Sequence, residues 1–364
     1  ATKKYCFILQ NRNMIKLFVA GEVYPKRQHI FPLLKPFEKK ESFTDVQRIA
    51  LYNISENDVH FVEVMQDADF VLLPMSWNFY LSENKMATAE QIITQASTAN
   101  KKVLSFMVGD FGVGIPDFEN VIVFRHSGNR AWLPETHVGM PAFVEDPMQK
   151  IFKTEGYFNR VYNHTPVVGF CGQANASMLN AAKELLHTAA RNLRSRLGVS
   201  RGQAQQLLST SYLRAAILRT LEKTSTVTTN FIYRKQYRAG ATTPEMRAKT
   251  TLEFYENMRD SDYVVCVRGA GNFSVRFYET LAMGRIPVFV NTDCLLPLAE
   301  TIPWKKQVVW VNYKDRNRVG EKVAAFHKSL SAQQFEDLLA ENRALWKEKL
   351  TLGGFFTTYF NTPH

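Results

Sequence analysis

The chain has 364 residues, of which 45% are hydrophobic and 22% charged, and its formal net charge at pH 7 is +11. This composition is ordinary for a globular protein, and the length allows two medium-sized cores. No apolar run reaches the roughly 18 residues that span a bilayer. No zinc-finger or RRM pattern accompanies the positive charge, so we expect no nucleic-acid partner.

The positive charge and the cysteines limit the partners and the compartment. Lys and Arg are spread along the sequence, with denser patches over 183–201, 214–249 and 305–322. Such charge suits phosphorylated substrates or an anionic membrane surface.

The four cysteines lie in or beside apolar runs, without Cys-x-x-Cys spacing: Cys6, Cys171, Cys266 and Cys294. Buried, reduced thiols are therefore expected, which favours a cytoplasmic compartment, peripheral at a membrane.

The first third of the chain alternates apolar strands with one amphipathic helix. Strands are predicted over 5–9, 16–20, 59–64, 70–75, 102–108 and 121–124, and the helix over 83–100. Three strands end in small or polar residues, at Pro74, Gly109 and Arg125. In a parallel sheet these ends share one edge, so this half is predicted to be Rossmann-like. Asp110 and His126 directly follow two of these ends and are the candidate catalytic bases.

Residues 130–165 are irregular and rich in proline, and are predicted to form a linker. The second half then resumes with alternating elements. Strands are predicted over 167–172, 227–234 and 304–311, and helices over 177–197, 202–221, 243–257 and 331–350. An aromatic tail follows the last helix.

Residues 262–290 form the most informative unit, a predicted strand, loop, helix and strand. The first strand ends at Arg268, and small residues follow it. Ser274 is a plausible N-cap for a helix that Gly284 ends. Arg276 and Glu279 lie three apart, on one helix face. Two arginines at a helix N-terminus suit a diphosphate, and the carboxylate suits ribose hydroxyls. The alternative is an ordinary surface ion pair between Arg276 and Glu279.

The stretch RGAGNFSVRFYETLAMGRIPVFVNTDCLLPLAETIPWKKQVVWV resembles the nucleotide-sugar-binding segment of the exostosin-like glycosyltransferases. Their pattern combines an Arg-Gly, a Ser-x-Arg-(Phe/Val)-x-Glu helix start, a Gly-x-(Ile/Val)-Pro-Val strand, a Leu-Pro and a Trp. The matching residues here are Arg268-Gly269, Ser274, Arg276, Phe277, Glu279, Gly284, Pro287-Val288, Leu296-Pro297 and Trp304.

The resemblance implies an α/β fold of the GT-B type, in which two Rossmann-like domains face each other across a cleft and a C-terminal helix crosses back. We predict an acceptor-side domain over 1–160, a nucleotide-sugar-binding domain over 161–330, and the crossing helix and tail over 331–364. The resemblance also implies that a loop containing Ser76, Trp77, Asn78 and Tyr80 lines the cleft.

The implied function is sugar transfer from a nucleotide-sugar, expected to be UDP-linked, to a glycan or lipid-linked acceptor, as in polysaccharide biosynthesis. Direct displacement with inversion is implied, with the donor as co-substrate and no further cofactor. The predicted donor-binding residues are Arg268, Gly269, Gly271, Asn272, Ser274, Arg276 and Glu279. No Asp-x-Asp follows a strand of the second half, so no metal is expected; Asp67-Ala68-Asp69 precedes a strand and is interpreted as a turn.

Two other functions fit the same residues. One is a catalytically inactive nucleotide- or carbohydrate-binding module that has kept the fold. The other is a nucleic-acid-binding protein that relies on charge. A Golgi-lumenal domain separated from an upstream anchor is the alternative to a cytoplasmic protein, because the sequence begins at Ala1 without an initiator Met.

Overall fold

A computed structural model describes residues 14–38, 43–174 and 176–362, excluding the side chains of 237 and 238. Its strands form two wholly parallel sheets. The first sheet contains β1 (Ile15–Val19), β2 (Val59–Phe61), β3 (Phe70–Leu72), β4 (Lys102–Phe106), β5 (Val121–Arg125) and β6 (His137–Gly139). The second contains β7 (Val167–Gln173), β8 (Thr228–Arg234), β9 (Tyr263–Cys266), β10 (Ile286–Asn291) and β11 (Val309–Asn312).

Helices connect these strands and cover the sheets. Those in the first half are α1 (Asp45–Tyr52), α2 (Trp77–Ser82), α3 (Met86–Thr98) and α4 (Pro147–Lys150). Those in the second half are α5 (Met178–Arg196), α6 (Thr210–Glu222), α7 (Pro244–Arg259), α8 (Val275–Ala282), α9 (Trp304–Gln307), α10 (Val319–Lys328), α11 (Ala332–Leu345) and α12 (Leu352–Asn361). Within the described ranges, no helix combines the length and the apolarity that crossing a bilayer requires.

Both sheets have the same doubly wound strand order. The first runs β2–β1–β3–β4–β5–β6 and the second β8–β7–β9–β10–β11, so each begins with the order 2-1-3-4-5. All residues of β5 and β9 are buried, as expected for parallel strands covered on both faces. The α/β prediction with two Rossmann-like sheets is therefore confirmed. In this order the topological switch points lie between β1 and β3 and between β7 and β9, where such folds bind ligands.

Several predicted elements differ from the structure. The predicted cleft loop is instead α2, and Trp77 is fully buried with its indole N–H donating to Ser105 at 2.9 Å. Aromatic side chains that fill a core favour a helix here over an exposed loop. The helix predicted from 202 begins only at Thr210, because residues before it bond other segments: the Gln205 amide donates to the Phe111 carbonyl at 3.1 Å.

The strand predicted over 304–311 is also shorter than expected. Its first residues form α9, which follows Pro303, and β11 begins only at Val309. The irregular stretch predicted over 130–165 contains the short strand β6 and the one-turn helix α4. The strand predicted over 5–9, which includes Cys6, lies outside the described residues.

The C-terminal segment packs against the first sheet. Helix α11 begins with a capping box at Ser331, as its sequence predicts, and a single π turn over 346–350 leads into α12. The Phe356 ring lies 5.3 Å from Phe124 and 5.6 Å from Phe31, measured between centroids. Phe355 also packs edge-on against Phe124. This aromatic cluster joins α12 to the first sheet.

Candidate functional site

Arg268 lies at the carboxyl end of β9 and is almost wholly buried, with 3% of its surface exposed. Its Nη1 donates to Gln206 Oε1 at 3.0 Å and its Nη2 to the Ala270 carbonyl at 3.3 Å. Its Nε is buried and has no partner among the described residues. Burial lowers the pKa of Arg268, since removing a cation from water disfavours its charged form.

Arg276, on the first turn of α8, reaches back to the switch point between β7 and β9. Its Nη2 donates to the Cys171 carbonyl on β7 at 2.8 Å and its Nη1 to the Val265 carbonyl on β9 at 3.4 Å. The guanidinium carbon lies 4.3 Å from the centroid of the Phe170 ring, a cation–π contact. A Cβ at Gly172 would lie 2.7 Å from Nη2, so a side chain there would displace the end of the guanidinium.

Glu279 does not pair with Arg276. Its carboxylate accepts a hydrogen bond of 3.1 Å from the Tyr255 hydroxyl. Burial raises the pKa of Tyr255, which keeps the phenol protonated as a donor. In the described part of the chain no carboxylate lies within 4.0 Å of the Arg276 guanidinium, so the interpretation as a surface ion pair is wrong. Tyr255 was not predicted, because nothing in the sequence indicates that α7 packs beside α8.

Ser274 occupies the N-cap of α8, as predicted, with extended backbone angles. Its side chain makes no capping hydrogen bond, unlike those of Ser177 and Ser209 at the starts of α5 and α6. The first N–H groups of a helix have no partner within the helix. In α8 the side chain of Ser274 leaves these N–H groups uncapped, and Arg276 lies in the first turn of the helix.

The loop between β9 and α8 packs against the strand ends of the first sheet. A Cβ on Gly271 would lie 2.5 Å from the Asp110 carbonyl oxygen, so only glycine fits there. The Phe273 ring stacks on the His126 ring with centroids 5.8 Å apart. The structure therefore brings Asp110 and His126, predicted from two different strand ends, to the loop that carries Arg268.

His126 has a defined hydrogen bond. Its Nδ1 lies 3.1 Å from the Met140 carbonyl, and because a carbonyl only accepts, Nδ1 carries the proton. The neutral ring then presents Nε2 as the proton acceptor. Burial lowers the pKa of His126 below its ordinary 6.5. Asp110, in the loop that follows β4, is exposed.

Asn272, by contrast, faces inward and is fully buried. Its backbone N–H donates to Ser127 Oγ at 2.8 Å. Its side-chain amide donates to the Gly128 carbonyl at 3.1 Å and to Asn129 Oδ1 at 2.8 Å. All three partners follow β5, so Asn272 ties the loop of the second half to the first half. Ser127 was not predicted; only the fold brings it to this loop.

The same amide also binds the end of β10. Asn272 Nδ2 lies 2.9 Å from the Thr292 carbonyl and 3.1 Å from that of Asp293. Its Oδ1 accepts from Thr292 Oγ1 at 2.6 Å and from Cys294 Sγ at 3.0 Å. The amide is thus committed to the protein interior, so any part that it takes in ligand binding is indirect.

The remaining predictions concern thiols and metals. Cys171 and Cys266 are buried, Cys294 is partly buried, and all three are free thiols, as predicted. Asp69 Oδ2 accepts from the backbone N–H of Lys16 at 2.7 Å, and Asp67 ends a 3₁₀ turn, which confirms the Asp-Ala-Asp segment as a turn. Among the residues that the structure describes, no cluster of three or more His, Cys, Asp or Glu could hold a metal ion.

These observations define a doubly wound α/β protein with a cationic, small-residue loop at the switch point of its second sheet. The chain belongs to the exostosin GT47 domain family, whose model matches residues 11–326. The resemblance stated from the sequence is confirmed.

Three relatives share segments of the chain. "Probable glucuronosyltransferase 47 A" of Physcomitrium patens is 34% identical over 92 residues, 25% of this chain and 19% of the relative. A protein of Oryza sativa subsp. japonica, also named a probable glucuronosyltransferase, is 32% identical over 92 residues, 25% of this chain and 20% of the relative. "Probable beta-1,4-xylosyltransferase IRX10" of Arabidopsis thaliana is 37% identical over 62 residues, 17% of this chain and 15% of the relative. The chain thus spans a fifth or less of the length of these relatives.

The buried amide of Asn272 gives a stability prediction. In Asn272→Asp the two N–H donors are lost, and a carboxylate faces the carbonyl oxygens of Gly128, Thr292 and Asp293. We expect a loss of about 3 kcal/mol or more in unfolding free energy, measured by urea denaturation. The control is Asn84→Asp, the same change at an exposed position, which should cost less than about 0.5 kcal/mol. Equal losses in the two variants would contradict the role given to Asn272.

Proposed function

We propose that the protein is a glycosyltransferase that moves a sugar from a UDP-linked donor to a hydroxyl of a glycan or lipid-linked acceptor, with inversion. The observation that carries the proposal is the pair of arginines at the switch point, of which Arg268 is buried and Arg276 is partly buried with its Nε inaccessible to solvent. Arg268 and Arg276 bond only neutral groups, and in the described ranges neither has a carboxylate within 4.0 Å. Buried cations without counter-ions are costly, and a bound diphosphate would offset that cost.

The proposed reaction is a single displacement at the anomeric carbon. A base takes the proton of the acceptor hydroxyl, whose oxygen attacks the anomeric carbon. The bond from that carbon to the phosphate oxygen breaks, and the nucleoside diphosphate leaves with the electron pair. Arg268, Arg276 and the first N–H groups of α8 stabilise the negative charge that develops on the leaving group. We propose a metal-independent reaction, because these groups supply the positive charge.

Each remaining donor-site prediction has a role in this proposal. Glu279, oriented by Tyr255, accepts hydrogen bonds from the ribose hydroxyls. Gly269, where a Cβ would meet no atom closer than 3.9 Å, lets the backbone approach the diphosphate, whereas Gly271, packed on Asp110, and Asn272 hold the loop in place. We also propose that the donor lies in a cleft between the two domains and that the acceptor binds on the side of the first domain. This placement is supported by the contacts of Asp110 and His126 with the loop between β9 and α8.

Asp110 and His126 are both candidates for the catalytic base, and the geometry favours His126. The Met140 carbonyl fixes the His126 tautomer with Nε2 as the acceptor, and a lowered pKa keeps the ring neutral at physiological pH. The relatives' names mention glucuronosyl and xylosyl transfer. We therefore propose UDP-glucuronate and UDP-xylose as the first donors to test.

Nucleotide binding is tested by thermal shift. UDP should raise the melting temperature of the parent protein, because a ligand that binds only the folded state stabilises it. Arg268→Ala should abolish the rise, whereas Arg316→Ala, at an exposed guanidinium stacked on Tyr313, should leave it unchanged. An Arg268 variant that is stabilised like the parent would refute the site. Binding of UDP without transfer to any acceptor in a broad panel would favour the inactive module.

The base is tested by pH dependence. His126→Gln should lower kcat by about 10²-fold or more with little change in KM. In the parent, kcat should fall only as the pH drops below 6.5, through the lowered pKa of His126, because protonation removes the base. That acid limb should disappear in His126→Gln. If Asp110→Asn instead abolishes turnover and His126→Gln retains it, the assignment is wrong.

A further inference from the structure

A third arginine, which is partly buried, adjoins the proposed donor site and belongs to none of the motifs described above. Arg214, on α6, donates from Nη2 to the Arg268 carbonyl at 3.2 Å and from Nη1 to the Gln173 carbonyl at 2.7 Å. Burial and then the charge of Arg276 lower the pKa of Arg214 to about 10. The sequence places Arg214 on a helix but does not indicate that this helix reaches the end of β7.

The geometry of β7 explains the arrangement of these side chains. Strand β7 pairs with β9 only through Val168 and Gly169, and it continues past the end of β9. The carbonyls of Cys171 and Gln173 therefore need other donors. They receive them from Arg276 and Arg214. The unpaired edge of one strand thus gathers two guanidiniums, and one of them, that of Arg214, also reaches the backbone of Arg268.

All three guanidiniums have unused binding capacity. The buried Nε atoms of Arg214, Arg268 and Arg276 have no partner among the described residues. The acid nearest to Arg214 along this surface, Glu184, accepts instead from the hydroxyls of Ser209, at 2.7 Å, and Ser211. Arg214 and Arg276 thus lie near each other, and within the described residues neither is paired with a carboxylate, which favours an anion carrying at least two negative charges.

Arg214 also lines an open groove between α5 and α6, of about 340 Å³. The groove is lined by Gln173, Asn180, Lys183, Glu184, His187, Ser211 and Arg214. Arg214 is thus the residue that joins the groove to the end of β7, where Arg276 also binds, and to the backbone of Arg268. An anion at the inner end of the groove would meet Arg214 first, with the Arg268 loop directly behind it.

We propose that Arg214 is a third arginine of the diphosphate site, and that the diphosphate of the donor lies at the inner end of the groove between α5 and α6. This inference rests on the proposed function. It adds a contact from α6 and the direction from which the anion enters.

The test compares two arginines of one helix. Arg214→Ala should weaken binding of UDP and of inorganic pyrophosphate by about tenfold or more in calorimetric titrations, and Arg214→Lys should restore part of it. Arg219→Ala, at an exposed arginine of the same helix, should bind both within about twofold of the parent. Rescue by lysine separates binding of the anion from a purely structural role.

The outcomes separate this inference from the proposed function. If Arg268→Ala loses UDP while Arg214→Ala and Arg214→Lys bind like the parent, the role of Arg214 is refuted and the proposed function stands. If the parent binds neither UDP nor pyrophosphate, both fail. If Arg214→Ala does not fold, Arg214→Gln decides, because it removes the charge and keeps a polar side chain: weaker pyrophosphate binding in the folded glutamine variant supports the role of Arg214, and unchanged binding refutes it.

A second inference rests on a different observation, the orientation of α5. This helix has no buried residue, and its large apolar side chains face solvent: Met178, Leu179, Leu186, Leu193 and Leu197 are 58–77% exposed. Leu179, Leu186 and Leu193 recur every seven residues and so form one stripe. The polar side packs on the protein instead, where Asn192 exchanges two hydrogen bonds of 2.7 and 2.8 Å with the Gln205 backbone.

Charge identifies the partner of this exposed stripe. By helical geometry Lys183 and Arg194 lie along one edge of the stripe and Arg196 lies at the other, all three exposed. The only acidic residue of the helix, Glu184, is bonded inward to Ser209. Two copies of α5 would bring like charges together, whereas an anionic lipid surface complements them and accepts the leucines. We propose that α5 docks the protein on an anionic membrane surface.

Vesicle co-sedimentation tests this docking. The parent should bind phosphatidylserine-containing vesicles and bind neutral phosphatidylcholine vesicles more weakly. Leu186→Gln should weaken anionic-vesicle binding by about tenfold, and Leu51→Gln, at a leucine of α1 with the same 68% exposure, should not. No binding by the parent, or binding that Leu186→Gln leaves unchanged, would refute the proposal. A self-association in sedimentation velocity that Leu186→Gln abolishes would assign the stripe to a second copy instead.

Discussion

The arrangement of the site depends on one buried amide. Asn272 lies in the loop between β9 and α8, and its hydrogen bonds reach both the segment after β5 and the end of β10. A buried amide donor is costly unless it is paired, so these bonds allow only one position of the loop relative to the first sheet. Arg268 precedes Asn272 and Ser274 follows it. The groups proposed to bind the donor thus take their positions from a residue that faces away from the donor.

The second constraint is electrostatic. Parallel sheets bind ligands at the switch point because the connections of the two strands leave toward opposite faces of the sheet and a crevice opens between them. In this sheet the unpaired groups are the carbonyls of Cys171 and Gln173, which take donors from Arg276 and Arg214. Neutral carbonyls hold the guanidiniums in place without cancelling their charge. The site is therefore positioned by hydrogen bonds and keeps its positive potential for a ligand.

The sequence predicted the structure well where interactions between neighbouring residues decide it. Apolar runs predicted most strands, Ser274 lies at the N-cap predicted for it, and the helices predicted from 177 and 331 begin there. Prediction failed where burial overrode local preference. The aromatic stretch around Trp77 is a buried helix, because tertiary packing hides its rings, and the predicted start of α6 was eight residues early, because residues 202–209 bond other segments.

The sequence by itself determined the α/β class, the strand–loop–helix unit around Arg268 and the family, because strand periodicity, helix caps and glycine spacing are properties of neighbouring residues. Only the tertiary structure decided which distant side chains meet. It separated Glu279 from Arg276 and gave it Tyr255, it turned Asn272 inward, and it brought Arg214 to the end of β7. Those contacts depend on how helices pack across a sheet, and that packing is set by burial over the whole chain, which no local pattern records.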